Sequence, residues 1–301
     1  MAKNKNMHKA KKVKNDEFYT RIQDIEKEMR YYEDQFKDKV IFCNCDDPEE
    51  SHFWKYFYLK FNHLGFKKLI STHYEKNKPT YKLEITRYEG MEGNVKDEDV
   101  IRTNLKQNGD FKSDECIELL KEADIVVTNP PFSLFKEYIA QLMEYDKKFL
   151  IIGSQNAITY KETFKFINDN RMWLGYTSPK EFLQPDGTIK KFGNISWFTN
   201  LEIKKRNEEL FLFKEYNEKD YPKYDNYDAI EVGKVKDIPK DYAGVMGVPI
   251  TFLGKHNPDQ FEMKGSRRYF YDESLGITNG KTLINGNEKY DRIFIKNKQL
   301  N

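Results

Sequence analysis

Residues 124–135 read DIVVTNPPFSLF, and the fold is decided by how this stretch is read. Asp124 to Val127 have strand-forming character and lead through Thr128 into Asn129-Pro130-Pro131-Phe132. A strand cannot run on through two prolines, because neither donates to a ladder and each fixes its own φ. The chain therefore leaves a buried strand on a stiff loop carrying an amide, two prolines and an aromatic ring. Ser133 then offers an N-cap for a helix whose apolar positions Leu134, Phe135, Ile139, Leu142 and Met143 have helical spacing. Open α/β sheets take ligands at the carboxyl ends of their strands, so a stiff polar loop in that place is the first candidate for chemistry.

Upstream, Val40-Ile41-Phe42-Cys43 is the apolar run of a buried parallel strand, and it ends in Asn44-Cys45-Asp46-Asp47-Pro48-Glu49-Glu50. Asp47 suits an N-cap, Pro48 the first helical position, and Glu50 completes a capping box. The helix that follows carries Phe53, Trp54, Phe57, Phe61 and Leu64, and Gly65 ends it. With Leu69 to Thr72 as the next strand, the unit reads βαβ. Before it, residues 21–36 read as a helix with Ile22, Ile25 and Met29 on one face. Residues 80–88 alternate like an antiparallel strand, 90–99 form a loop, the chain turns near Asn108 to Phe111, and Ser113 caps a helix through Leu119 and Leu120.

Downstream, Phe149 to Ile152 is a further buried strand, and Thr159 with Glu162 is a capping box for a helix through Phe166 and Ile167. Residues 171–201 look antiparallel, with a turn at Pro185-Asp186-Gly187 and a strand from Ile195 to Leu201. These elements predict an α/β fold with a doubly wound, mostly parallel sheet. From about Lys204 the character shifts to Lys, Asn, Tyr and Gly with short strand-like pieces. There Arg267-Arg268-Tyr269-Phe270-Tyr271 and the basic strand from Arg292 to Lys298 suit either nucleic-acid contact or an ordinary surface strand.

The chain has 301 residues, room for one large domain or a domain with a smaller partner. Its mean hydropathy of -0.85 is low for a folded protein, yet 22 Phe, 20 Tyr and 3 Trp supply the apolar area of a packed core. No stretch is apolar enough for a membrane span, and the amino end lacks the apolar core of a signal peptide. Cys43, Cys45 and Cys116 form no disulfide framework, which suits a reducing, cytoplasmic setting; Cys43 and Cys45 would share a face but are too few for a metal site. Net charge is only +2, but residues 1–15 hold six lysines and no acid, an arm for phosphate contact or a solvated tail.

The Asn129 to Phe132 loop suits one task in particular. An aromatic amine such as that of adenine is a poor nucleophile, because its lone pair is delocalised into the ring. Two acceptors aimed at its hydrogens, the Asn129 side-chain carbonyl and the Pro130 main-chain carbonyl, draw the nitrogen toward tetrahedral geometry and stabilise developing positive charge. Pro131 keeps that main chain rigid, and Phe132 can stack on the face of a base. This chemistry calls for neither a strong base nor a metal.

On these residues the chain resembles the class I, S-adenosylmethionine-dependent amino-methyltransferases, and most closely the EcoRI-type adenine-specific DNA methyltransferases. The likeness covers residues from 15 to about 200 and continues through His256-Asn257-Pro258-Asp259-Gln260-Phe261-Glu262. It implies a seven-stranded Rossmann-like sheet and transfer of a methyl group to N6 of a flipped adenine in double-stranded DNA. It also implies a basic N-terminal arm (1–15), a catalytic domain (16–203) and a C-terminal DNA target-recognition region (204–301). Carried over, Asn129, Pro130, Pro131 and Phe132 are catalytic, and Phe18, Tyr19 and Thr20 line the methionine end of the cofactor. Asn44, Cys45 and Asp46 sit where its amino-acid portion binds, with Asp46 a candidate for its ammonium and Asp47 a plain helix cap. Tyr74 or Glu75 serves its ribose, while Asp110 and Phe111 serve its adenine. The chain departs from the wider class in lacking a glycine-rich turn after the first strand, which leaves open which atoms of residues 44–48 meet the cofactor. Double-stranded DNA is the expected partner, with or without a restriction endonuclease of the same target site. Competing expectations are methylation of RNA or of a protein glutamine, and a catalytically silent nucleic-acid-binding module.

Overall fold

The computed structural model describes residues 19–300 except 46, 92, 185–186, 267–268 and 271–280, with backbone alone for 269–270. The basic arm, Phe18, Asp46, the Pro185-Asp186 pair and Arg267, Arg268 and Tyr271 lie outside the described residues. Contacts divide the chain into two compact units, Met1–Ala157 with Leu174–Glu202, and Ile158–Trp173 with Ile203–Asn301.

The first unit begins with strand β1 (Tyr19–Thr20), helix α1 (Ile22–Met29), β2 (Val40–Cys43), α2 (His52–Leu64) and β3 (Lys68–Thr72). Next come β4 (Tyr81–Thr86), β5 (Ile101–Asn104), α3 (Asp114–Glu122), β6 (Ile125–Thr128), α4 (Phe135–Glu144) and β7 (Lys148–Ser154). Helix α5 (Lys161–Asn168) belongs to the second unit; β8 (Trp173–Leu174), β9 (Glu181–Leu183), β10 (Ile189–Lys191) and β11 (Ile195–Thr199) follow it.

Among the described residues the main sheet has eight strands in the order β5-β4-β3-β2-β6-β7-β11-β8. Its centre, β3-β2-β6-β7, is parallel, whereas β4, β5 and β11 pair antiparallel. The sheet is thus mixed, with eight strands where the resemblance implies seven. All four residues of β2 and of β6 are buried, as continuous apolar runs at a sheet centre require. The pairing takes β3 to one side of β2 and β6 to the other, so connections leave β2 in both directions. A separate three-stranded sheet, β1-β9-β10, joins the start of the unit to residues 181–191.

Several local expectations are corrected. Helix α2 starts four residues later than the Asp47 cap predicts, because Ser51 is the N-cap and accepts from Phe53 N at 3.1 Å. Asp47 instead closes the preceding turn, its carboxylate accepting from Glu49 N and its carbonyl from Ser51 N. Pro48 and Glu50 belong to that turn, so no capping box forms there. Ser133 is not the cap of α4 either: Phe132–Leu134 is a 3₁₀ turn closed by Leu134 N donating to Pro131 O, with Leu134 at the N-cap position. Tyr160, not Thr159, precedes α5 and gives no side-chain cap. The expected helix over 21–36 ends at Met29 and is followed by a 3₁₀ turn at Glu33–Gln35. Ser113 caps α3 and Gly65 ends α2 at φ 70°, as predicted.

One buried carboxylate ties α1 to the far end of the unit. Glu28 is fully buried and accepts from Tyr32 Oη, Tyr176 N, Thr177 N and Thr177 Oγ1 at 2.6–2.7 Å. Gly175 passes so close that a Cβ there would lie 2.2 Å from Glu28 Oε1.

The second unit carries β12 (Ala229–Glu231), β13 (Val245–Pro249), β14 (Phe261–Ser266), β15 (Tyr269–Phe270), β16 (Leu283–Ile284), β17 (Asn287–Glu288) and β18 (Arg292–Asn297). Five of them form the sheet β12-β13-β18-β14-β15, and β16 pairs with β17. Tyr224, Tyr227, Ala229, Ile284 and Phe294 pack together under it. Buried Glu231 receives the Arg292 guanidinium and the Tyr224 hydroxyl, so the charge is paired rather than stranded. In the His256 to Glu262 stretch, Asn257 closes a tight turn by accepting from Asp259 N and Phe261 N, and Gln260 pins Leu210 at both backbone atoms.

Candidate active site

The loops that leave β2 and β6 meet where the sheet connections part. Cys45 N donates to Thr128 Oγ1 at 3.2 Å, which fixes the loop after β2 against the strand that feeds Asn129. Asn44 is 2% exposed, and its Oδ1 accepts from the hydroxyl of Tyr138 on α4. Its Nδ2, also buried, makes no hydrogen bond among the described residues. The carboxyl end of β3 is tied to the same corner. Ser71 Oγ donates to Cys43 O at 2.9 Å, and Thr72 Oγ1 donates to Asn44 O at 3.4 Å.

Asn129 and Pro130 are buried, while Pro131 and Phe132 are half-buried. The Phe132 ring meets Phe182 of β9 at 6.5 Å and Phe192 at 6.3 Å, both edge-on. Phe182 is paired in register with Thr20 of β1, so the 19–20 segment reaches the Asn129–Phe132 loop through the small sheet. Thr20 is 1% exposed; its carbonyl lies 3.0 Å from His52 Nδ1, and its Oγ1 makes no hydrogen bond among the described residues.

The remaining candidates form a third side. Glu75 N donates to Asn108 O at 2.9 Å, which joins the loop after β3 to the turn at Asn108–Phe111. Burial first, then the Asp110 and Glu75 carboxylates, raises the Tyr74 phenol above its ordinary value. Asp110 Oδ1 accepts from Lys112 N at 2.8 Å, while Phe111 is buried edge-on against Tyr138 at 5.1 Å. Gly109 makes the approach possible: at φ +74° it passes so close to the His73 carbonyl that a Cβ would sit 2.0 Å from that oxygen.

Hydrogen bonds and ring contacts thus link Asn44 and Cys45 to the end of β6, Thr20 to Phe182 beside Phe132, and Phe111 through Tyr138 to Asn44, while Glu75 joins the Asn108–Phe111 turn and Tyr74 is 48% exposed. Sequence reading missed Tyr138, whose hydroxyl orients Asn44 while its ring supports Phe111. A tyrosine three residues after Phe135 on the apolar face of a helix was its available signal. Thr128, His52, Phe182 and Phe192 were missed as well, because their contacts join segments far apart in the chain. A separate cleft of about 580 Å³ lies along the amino end of α2. It is lined by Glu49, Lys55, Tyr58 and Asp97 among others and includes none of the candidate residues.

Comparison with known proteins places this arrangement. Residues 6–298 match the family model of the adenine-specific methyltransferase EcoRI. The chain is 48% identical to the Type II methyltransferase M.EcoRI of Escherichia coli, an alignment covering 99% of this chain and 98% of the relative. It is 41% identical to the Type II methyltransferase M.MgeORF184P of Mycoplasma genitalium, over 97% of this chain and 99% of that one. With the Type II methyltransferase M.MpnI of Mycoplasma pneumoniae it shares 42% identity, over 85% and 84% respectively. No solved structure matches the chain significantly. Matched along nearly its whole length, the chain belongs to the EcoRI family of adenine-specific methyltransferases.

Proposed function

We propose that this adenine-specific methyltransferase acts on duplex DNA, moving a methyl group from S-adenosylmethionine to N6 of an adenine turned out of the helix. The supporting observation is the corner where connections leave β2 in opposite directions and the Asn44 and Asn129 loops are bonded together. A crevice at such a reversal is where doubly wound, Rossmann-like sheets take their ligands.

The residues at this corner fit the cofactor. Asn44 Nδ2 and Thr20 Oγ1 are buried polar atoms with no hydrogen bond among the described residues, a costly arrangement unless a polar ligand completes it. In this reading Asn44, Cys45 and Asp46 hold the amino-acid portion, and Phe18, Tyr19 and Thr20 the methionine end. Tyr74 or Glu75 takes the ribose, and Asp110 with Phe111 the adenine. When bound, S-adenosylmethionine supplies an electrophilic methyl group.

The catalytic loop does the rest. Asn129 Oδ1 and Pro130 O accept from the two hydrogens of the target amine, which localises its lone pair for attack. Pro131 fixes the direction of the Pro130 carbonyl, and Phe132 stacks on the extruded ring, offsetting the few kcal/mol that unstacking costs. The N6 cation left after transfer is acidic and loses its proton without a strong base. The basic arm and residues 204–301 would supply contacts to the DNA, with the protein working in the bacterial cytoplasm, beside or without an endonuclease of the same site. Incubation with label-bearing S-adenosylmethionine and DNA, RNA or protein tests the substrate: label is expected in DNA adenine, and label confined to RNA or protein overturns the reading.

A further inference from the structure

An asparagine amide has two ends of the same shape and opposite hydrogen-bonding sense: Oδ1 only accepts and Nδ2 only donates. What a ligand meets at Asn44 therefore depends on which way its amide is turned. The backbone on either side is held first. Cys43 O accepts from Ser71 Oγ at 2.9 Å, Asn44 O accepts from Thr72 Oγ1 at 3.4 Å, and Cys45 N donates to Thr128 Oγ1 at 3.2 Å. These bonds leave the side-chain torsions of Asn44 to be set.

The amide is met by Tyr138 of α4, whose hydroxyl donates to Asn44 Oδ1. The Cys45 thiol approaches the same end, with its Sγ 3.7 Å from that oxygen. Half a turn of the amide would replace this shared acceptor by a donor beside both groups. Tyr138 is itself fixed: it is fully buried, with its ring edge-on to Phe111 at 5.1 Å. Gln141 of the same helix donates from Nε2 to the Phe111 carbonyl at 3.1 Å, which holds that ring's own backbone to α4. The end of Asn44 left over is Nδ2, a buried donor with no hydrogen bond among the described residues. Such a donor costs free energy until an acceptor reaches it.

We propose that Tyr138 is a positioning residue for the methyl donor: by holding Oδ1 it presents Nδ2, so that Asn44 takes the carboxylate of S-adenosylmethionine and not its ammonium. This rests on the cofactor reading above, in which Asn44 serves the amino-acid portion. That portion carries an ammonium that only donates and a carboxylate that only accepts, and a bond to the ionised acceptor is a strong one. Tyr138 acts through Asn44 and touches no reacting atom. Side chains that hold a binding residue in one rotamer decide how well it is preorganised.

The test is calorimetric titration of S-adenosylmethionine into the full-length chain, with Tyr138→Phe, Asn44→Ala, the double variant and Asn44→Asp. Tyr138→Phe keeps the buried ring and should weaken the cofactor about fivefold. In the Asn44→Ala background the same change should shift affinity by less than about twofold, because the group it acts through is gone. Asn44→Asp keeps an acceptor for the hydroxyl but sets a carboxylate where the donor was, so it should bind more weakly than Asn44→Ala. Wild-type affinity in Tyr138→Phe, or an equal loss in both backgrounds, overturns the positioning role. Tighter binding by Asn44→Asp than by Asn44→Ala gives Asn44 to the ammonium and overturns the proposal independently of how stable Tyr138→Phe is. A wild-type chain that does not bind S-adenosylmethionine overturns the cofactor reading as well, and the wild-type titration alone reveals that case.

Discussion

At the scale of single residues, two amides divide the work. In the proposed reading Asn129 serves the reacting amine and Asn44 the methyl donor, and the bond from Cys45 to Thr128 keeps their loops in step. Replacing Asn129 with alanine removes one of the two acceptors that develop strength only as the amine is attacked. It should lower kcat by about 10²–10³-fold with cofactor affinity retained, and a variant turning over near the wild-type rate would refute the role given to this residue. Asn44→Ala should do the reverse. Its Nδ2 is buried without a bond in the chain, so its loss should weaken S-adenosylmethionine about tenfold in calorimetry and leave a smaller mark on kcat at saturation. The sequence shows the first amide plainly, because the prolines that follow it announce a loop built for stiffness. The second is visible only as a polar residue after an apolar strand. Its partner Tyr138 lies 94 residues away and hides within the apolar face of a helix.

At the scale of elements, strand and helix identity followed from apolar runs, while boundaries followed from contacts that a local reading cannot see. Asp47 looks like a cap because it precedes a proline, but its carboxylate is engaged by Glu49 N and by His73 Nε2 at 3.2 Å, so Ser51 takes over. Ser51→Ala should cost about 1 kcal/mol and lower the thermal midpoint by a few degrees, whereas Asp47→Ala should leave α2 itself intact by circular dichroism. Strand β5 escaped notice for a different reason: Ile101, Arg102, Thr103 and Asn104 are all exposed, so the run has no buried face to set an alternation. Gly109 is the sharpest single test of an element junction. A methyl group there would strike the His73 carbonyl at a left-handed φ, so Gly109→Ala should push the β3 loop from the Asp110 turn and raise the dissociation constant for cofactor. Wild-type affinity in that variant would show that the junction does not shape the site.

At the scale of the molecule, the two units differ in how readily they could be read. The first is built from long apolar runs with a periodic spacing. The second is built from short strands held by buried polar groups, whose pairing no local pattern specifies. His256 is one of them: burial, opposed by its bond with the Phe261 carbonyl and assisted by Arg206 and Lys298, pushes its imidazole down to about 4. The folded chain keeps this ring neutral while the unfolded chain protonates it near 6.5, so the unfolded state binds the extra proton between those values. Stability linked to His256 is therefore complete above about pH 6.5 and is lost as pH falls toward 4. The thermal midpoint should drop over that range in the wild type and drop less in His256→Gln; parallel curves would exclude His256 as the cause.

The Glu28 clamp has a consequence for the order of events during synthesis. Its donors at Tyr176 and Thr177 are 148 and 149 residues away, and the pairing of Thr20 with Phe182 spans a similar interval. A chain emerging from the ribosome presents α1 and the first βαβ unit early, with a buried carboxylate still lacking its backbone donors. Closure of contacts so distant in sequence is slow and comes late. The nascent protein thus passes through a long interval with its central strands made but the corner around Asn44 and Asn129 unfinished. Capacity to bind S-adenosylmethionine should appear as a step once residues 174–202 are available, not gradually as the parallel strands accumulate.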